Sequence, residues 1–171
     1  DGTTFIPNAI ENGADVILVE EGSCNLKSLN IPDNVTLLVV PDARYAMAIS
    51  ACNFYDNPSK KLKLIGVTGT KGKTTTTFMM KAILEKSGIK TGLIGTIAIY
   101  SGDKMLKESD RTTPESIELQ QLFAKMVEDG CKAVIMEVSS QSLKLNRVAG
   151  CEFDMAVFTN FSEDHISPKE H

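Results

Sequence analysis

The sequence predicts an α/β protein, a parallel sheet flanked by helices and preceded by the end of a smaller α/β domain. Three observations predict it. Short apolar runs alternate with stretches of helical periodicity, as happens when parallel strands are joined by crossover helices. At residues 62–86 an apolar run, a glycine-rich loop and a helix-like stretch follow one another directly, the arrangement of a P-loop-type sheet. The hydrophilic breaker Asn57-Pro58-Ser59-Lys60-Lys61 separates a shorter first part from a longer second one. The domains are accordingly drawn at 1–57 and 58–171.

In the first part, residues 5–12 read as a short helix ended by Gly13. Residues 16–19, Val-Ile-Leu-Val between acidic residues, read as a buried strand. Residues 23–34 are polar and irregular. Residues 35–40 form a second buried strand, stopped by Pro41, and residues 43–54 carry Ala46, Met47, Ile49, Ala51 and Phe54 at helical spacing. In the second part a strand at 62–67 leads into the loop. A helix at 74–86 follows, with Phe78, Met79, Ala82 and Ile83 as its apolar face and Gly88 at its C-terminal cap. Residues 91–94 read as a strand, and 97–100 with 105–106 as a hairpin around Ser101-Gly102-Asp103-Lys104. Thr113, before Pro114, is the expected N-cap of a helix whose apolar residues run from Ile117 to Val127, and Gly130 ends it. Buried strands are expected at 133–136, ending in Glu137, and at 156–158, ending in Thr159-Asn160. Ser167-Pro168-Lys169-Glu170 has the form of a helix start, and Asp1 is not a methionine. Both ends read as cut, so the chain is expected to be a fragment of a longer protein.

Composition bounds the function. Of the 171 residues 42% are hydrophobic and 23% charged, ordinary for a globular protein with a real core. A net charge of −4 gives no footprint for nucleic acid. No apolar run reaches membrane-spanning length, so no membrane insertion is expected. Cys24, Cys52, Cys131 and Cys151 contain no C-x-x-C pair and read as buried thiols of a reducing cytoplasm.

The loop carries the strongest chemical signal. Gly69, Thr70, Lys71, Gly72, Lys73, Thr74 and Thr75 stand between a strand and a helix. In that context glycines let backbone N–H groups approach a phosphate, and the helix start adds free N–H groups and its positive dipole end. Lys73 can reach the outer phosphates and the Thr74 hydroxyl can ligate Mg²⁺. The usual first glycine is replaced by Val67, flanked by Gly66 and Gly69, so the loop is a variant. The bland alternative is a strand-to-helix turn with no ligand. Parallel strands would bring three polar clusters to one carboxyl edge: the loop, residues 137–140 and residues 160–165. Glu137 would then hold Mg²⁺ beside Thr74, although a strand-end acid can be merely solvated. His165 is a candidate for a second metal site, with Asp164 orienting its ring, against the ordinary reading of a structural histidine. Thr112, Thr113 and Arg147 suit an anionic ligand, though each signal alone is weak.

Taken together, Gly-Thr-Lys-Gly-Lys-Thr-Thr, Thr-Thr-Pro-Glu, Glu-Val-Ser-Ser and Thr-Asn-Phe-Ser-Glu-Asp-His, in this order and spacing, resemble the Mur ligases of peptidoglycan synthesis. Within them the tripeptide-forming branch, the UDP-N-acetylmuramoyl-tripeptide synthetases, is most similar. The resemblance implies a truncated ATP-binding central domain after the end of a UDP-binding N-terminal domain, without the C-terminal domain that binds the amino acid. It implies an ATP-dependent ligase acting on UDP-muramoyl dipeptide and an amino acid through an acyl phosphate, in a cytoplasmic monomer serving cell-wall synthesis, cell shape and division. By the same resemblance residues 69–75 hold ATP, and Lys73, Glu137 and His165 are catalytic. Thr74, Glu137 and His165 hold metal, and Thr112, Thr113, Ser139 and Arg147 touch the muramoyl substrate. Arg111, Gln141 and Leu145 stand where the family often has Asn, His and Gln. Two alternatives stay open: another ligase of the superfamily such as folylpolyglutamate synthetase, and a nucleotide-binding module that performs no ligation.

Overall fold

The structure, a computed structural model, describes residues 2–23, 25 and 29–163. The chain forms two compact units, Asp1–Ala46 and Met47–His171. The breaker at 57–61, from which a boundary at 57/58 was drawn, lies inside the second unit. There Asn57 takes φ +48 and leads into a 3-10 turn, Pro58–Lys61, whose Ser59 is buried.

In the first unit a 3-10 turn, Gly2–Phe5, leads into helix α1 (Ile6–Glu11). Strands β1 (Val16–Glu20) and β2 (Thr36–Val40) pair in parallel, Val16 beside Thr36 and Glu20 beside Val40. The core here is Ile6, Ile17, Val19 and Val35. The two strands are less buried than their apolar runs suggest: Val16, Leu38 and Val39 are about half exposed. Side chains alternate across a strand, and this two-stranded sheet packs these core residues on one face only. Helix α2 (Ala43–Phe54) runs from the first unit into the second.

The second unit contains β3 (Lys63–Thr68), α3 (Lys73–Lys86), β4 (Thr91–Ile94), β5 (Ala98–Ser101), β6 (Lys104–Glu108), α4 (Ser116–Glu128), β7 (Ala133–Glu137), α5 (Ser140–Lys144) and β8 (Met155–Phe158). They form one six-stranded sheet in the order β6-β5-β4-β7-β3-β8. The last four strands in that order are mutually parallel, and β5 and β6 add the expected antiparallel hairpin. Register aligns the strand ends: Val67 lies beside Glu137, Ile94 beside Met136, and Thr68 beside Phe158. Leu64, Val134 and Met136 from the central strands pack with Leu119, Phe123 and Met126 of α4, all fully buried. Ile117, at the start of the same helix, faces outward.

Three sequence expectations are corrected here. Strand β8 is at the sheet edge, with Met155 and Phe158 more than half exposed. Its apolar run identifies a strand but not its place in the order. Helix α3 turns Thr77 and Lys81 inward, while Met79 and Ile83 are more than 60% exposed. The Thr77 hydroxyl can be buried because it donates to Thr74 O at 2.8 Å. Lys81 pairs with Glu85 at 2.5 Å and lies 5.7 Å from the centre of the Tyr100 ring, so its charge is neutralised beneath the hairpin. Finally, the N-cap of α4 is Glu115, not Thr113, whose hydroxyl is drawn to β7 instead.

Cys52 and Cys131 are buried free thiols, and Cys151 is a half-buried one whose desolvation pushes its thiol up to about 12. Cys24 lies outside the described residues. Among the described residues no helix is long and apolar enough to cross a membrane.

Candidate active site

Beyond Thr68 the chain turns through Gly69 (φ +131) and Gly72 (φ +85) into α3, a backbone course that disfavours any side chain at either position. A Cβ on Gly69 would also lie 2.2 Å from Thr159 Oγ1, whereas the space beside Gly72 is open. The first N–H groups of α3, as at any helix start, have no partner within the helix. Lys73 folds back over the loop and donates from Nζ to Gly69 O at 2.7 Å and Thr70 O at 3.1 Å. Its charge therefore lies over the carbonyls of the loop. The loop in turn leans on the end of β8, where Thr70 N donates to Asn160 O at 3.0 Å.

Glu137 ends β7 and is fully buried. Its Oε2 accepts from Thr74 Oγ1 at 3.1 Å, which joins the helix after the loop to the acid on the neighbouring strand. Thr96, just after β4, donates from N to Oε1 at 2.9 Å and from Oγ1 to Oε2 at 3.1 Å. Gly95 makes that approach possible: a Cβ there would be 2.4 Å from Glu137 Oε1. The Thr96 hydroxyl also lies 3.1 Å from that of Thr112. Among the described residues no three His, Cys, Asp or Glu side chains cluster as a metal site. Of the oxygens gathered here, the Glu137 carboxylate and the Thr74 hydroxyl beside the loop fit a hard cation that retains several waters and takes its remaining contacts from phosphate.

Beside this centre lies a second polar group. Thr113 is buried; its hydroxyl donates to Glu137 O at 2.8 Å and accepts from Ser139 N at 3.2 Å. Ser139 caps α5 through Ser142 N at 3.1 Å. Arg147 reaches Thr113 O at 3.2 Å with Nη1 and Glu115 Oε1 at 2.8 Å with Nη2. Arg111 Nη1 meets the same Glu115 oxygen at 2.7 Å. Arg147 Nε is buried with no protein partner.

The structure therefore brings together Thr74, Glu137, Thr112, Thr113, Ser139 and Arg147 at one edge, next to Lys73 and the loop. His165 and Asp164 lie outside the described residues. Sequence reasoning missed Thr96, and it named Glu115 and Asn160 only as members of motifs and clusters, without the role of the Glu115 carboxylate that bridges two arginines or of the Asn160 side chain. Thr96 could have been found as the polar residue after the Gly that follows β4, close to the positions ending β3 and β7.

Comparisons with known proteins place the chain's sequence and fold. Residues 67–168 match the Mur ligase middle domain. The chain is 57% identical over 166 residues to the UDP-N-acetylmuramoyl-L-alanyl-D-glutamate--2,6-diaminopimelate ligase 1 of Clostridium acetobutylicum, covering 97% of this chain and 33% of that protein. It is 54% identical over 166 residues to the corresponding ligase of Clostridium botulinum, covering 97% of this chain and 34% of the relative. A solved UDP-N-acetylmuramoyl-L-alanyl-D-glutamate--2,6-diaminopimelate ligase superposes with a TM-score of 0.74 at 27% identity, over 97% of this chain and 32% of that one. The chain thus spans about a third of the length of the relatives it matches.

Proposed function

We propose, from the premise that this chain belongs to the Mur ligase family, that it carries the nucleotide-handling part of an ATP-dependent amide-bond ligase. The reaction is addition of the third amino acid to UDP-N-acetylmuramoyl dipeptide in cytoplasmic peptidoglycan synthesis. The relatives named above are diaminopimelate ligases, and 2,6-diaminopimelate is the incoming amine we propose. The observation that carries the reading is the contact between Thr74, in the first turn after the loop, and the buried Glu137.

In the proposed reaction the dipeptide carboxylate oxygen attacks the γ-phosphorus of ATP, and the bond to the β,γ-bridging oxygen breaks to release ADP. The amine then attacks the acyl carbon and loses a proton, and phosphate leaves. Both steps depend on placing anions together, so the protein's contribution is position and neutralisation of charge. The loop N–H groups and Lys73 Nζ receive the phosphates. Thr74 and Glu137 would hold Mg²⁺, which when bound offsets the charge of the phosphates. Thr112, Ser139 and Arg147 would orient the muramoyl substrate, with Thr113 joining the end of β7 to Ser139 N and to the Arg147 side chain.

The test is Lys73→Ala in the complete protein. Loss of a charge-assisted contact to phosphate is worth about 1.5–3 kcal/mol. ATP affinity should therefore fall about tenfold to a hundredfold, while UDP-muramoyl dipeptide binding is retained. Unchanged ATP affinity would refute the loop assignment. ATP hydrolysis indifferent to the dipeptide, with no amide product, would refute the ligase and favour a plain nucleotide-binding module.

A further inference from the structure

We propose that Asn160 is a positioning residue for the nucleotide, an external clamp that fixes the shape of the loop without touching the ligand. The inference rests on the nucleotide reading above and goes beyond it by assigning the loop's geometry to a segment 90 residues away in sequence.

The hydrogen bonds carry the argument. Asn160 Oδ1 accepts from Lys71 N at 3.0 Å, and its Nδ2 donates to Lys71 O at 2.9 Å. Its own carbonyl accepts from Thr70 N at 3.0 Å. The Thr159 hydroxyl lies 2.7 Å from Lys71 O and 3.2 Å from Thr68 O. Thr70 Oγ1 donates to Ser162 O at 3.1 Å and accepts from Ser162 N at 3.0 Å. The backbone groups of Lys71, immediately before Gly72 and Lys73, are thus met by the end of β8.

The chemistry of the pair selects the residue type. Lys71 N can only donate and Lys71 O can only accept, so the side chain opposite must offer one acceptor and one donor in a planar fork. An amide does so. Aspartate offers two acceptors, sets one of them against Lys71 O, and adds negative charge beside a site for phosphates. The clamp also accounts for a peculiarity of the sequence. The loop has Val67 in place of its usual first glycine, and Gly69 passes so close to Thr159 and Asn160 that a Cβ would lie 3.0 Å or less from both residues. The loop's course is shared between two segments. Asn160 is itself exposed, so trimming it opens no cavity in the core.

The experiment compares wild type, Asn160→Ala, Asn160→Asp, Thr159→Val and Lys73→Ala in the complete protein. Equilibrium binding of a fluorescent ATP analogue, KM for ATP, KM for UDP-muramoyl dipeptide and the unfolding midpoint are read for each. Asn160→Ala should weaken nucleotide binding and raise the ATP KM about tenfold, as loss of two hydrogen bonds that order a loop implies. Asn160→Asp should do so more strongly, and Thr159→Val less. The dipeptide KM should stay within about twofold, kcat should recover at saturating ATP, and the midpoint of Asn160→Ala should move by no more than about 2 °C. The clamp is overturned if Asn160→Ala and Asn160→Asp bind the analogue like wild type while Lys73→Ala does not. It is equally overturned if both KM values rise together with a fall in the midpoint, the signature of general structural damage. If Lys73→Ala itself binds the analogue normally, the nucleotide reading fails first and the clamp fails with it.

Discussion

Glu137 offers the sharpest separation between holding the fold and holding a cation, because glutamine and alanine at this position make opposite demands. The carboxylate is fully buried and takes three hydrogen bonds: Thr96 N at Oε1, and the Thr74 and Thr96 hydroxyls at Oε2. In Glu137→Gln the amide oxygen must take the Oε1 place, since Thr96 N can only donate. The NH₂ then faces two hydroxyls, which can rotate to accept. All three contacts survive as neutral bonds. A hydrogen bond to a charged group contributes about 1.5–3 kcal/mol and a neutral one about 0.5–1.5. Over three bonds the exchange costs about 3–4.5 kcal/mol, and the smaller desolvation of the neutral amide offsets part of it, for a net loss of about 1–3 kcal/mol. Glu137→Ala instead orphans Thr96 N and empties space in the core. An unmet buried donor costs about 1–3 kcal/mol and the cavity adds to it, for a total of about 3–5 kcal/mol.

Function, unlike stability, should fail alike in the two variants. Glutamine removes the negative charge and makes the Thr74 hydroxyl an acceptor toward Nε2, so a hard cation loses the carboxylate and finds one of the hydroxyl's two lone pairs occupied. Mg²⁺-dependent ATP turnover should fall at least a hundredfold in both variants, while urea unfolding separates them. The assay titrates Mg²⁺ at fixed ATP in the complete protein, alongside urea denaturation. A Glu137→Gln protein with the wild-type Mg²⁺ dependence would refute the metal assignment. One as unstable as Glu137→Ala would refute the hydrogen-bond accounting.

Two further outcomes follow from neighbouring geometry. Gly95→Ala should destabilise the protein by about 1–3 kcal/mol and disturb Mg²⁺ use, because the new Cβ would press on Glu137 Oε1; wild-type behaviour in thermal unfolding and Mg²⁺ titration would contradict the contact. The hydrogen bond from Lys63, together with that from Leu64 N–H, holds the Asp154 carboxyl below the usual aspartate range. Its contribution is thus present above the unfolded pKa of about 3.9 and is lost as pH falls through the folded value. Asp154→Asn should flatten the acid limb of the stability curve, and an acid limb identical to wild type, measured by urea unfolding from pH 6 downward, would count against it.

What was legible in the sequence was local. The strand, loop and helix at 62–86 declare themselves because apolar run, glycines and helical spacing are adjacent, and the hairpin around Gly102 is set by its turn residues. Which face of α3 is buried was not local. Phe78, Met79, Ala82 and Ile83 share a stripe, yet the inward residues are Thr77 and Lys81. Their polar ends are satisfied by Thr74 O and Glu85, partners one turn away that a hydrophobic pattern does not register. Strand β8 shows the same limit. Its composition suits a central strand, and only the sheet order makes Met155 and Phe158 edge residues.

The candidate site divides along the same line. Glu137 and Thr74 could be named because each sits where a motif expects an acid or a hydroxyl. Thr96, Glu115 and Asn160 are ordinary polar residues until register assigns their partners. Val67 beside Glu137 and Ile94 beside Met136 place the residue after Gly95 within reach of the carboxylate. Thr68 beside Phe158 likewise carries Thr159 and Asn160 to the loop. Of the two glycines at these crossings, Gly69 reads in the sequence as a loop residue and Gly95 carries no signal. In the structure each is the point where a second strand end comes too close for a side chain. The site is therefore a property of strand register more than of any one segment. Changes at Gly69 and Gly95 should disturb its chemistry even though neither glycine has a side chain to offer it.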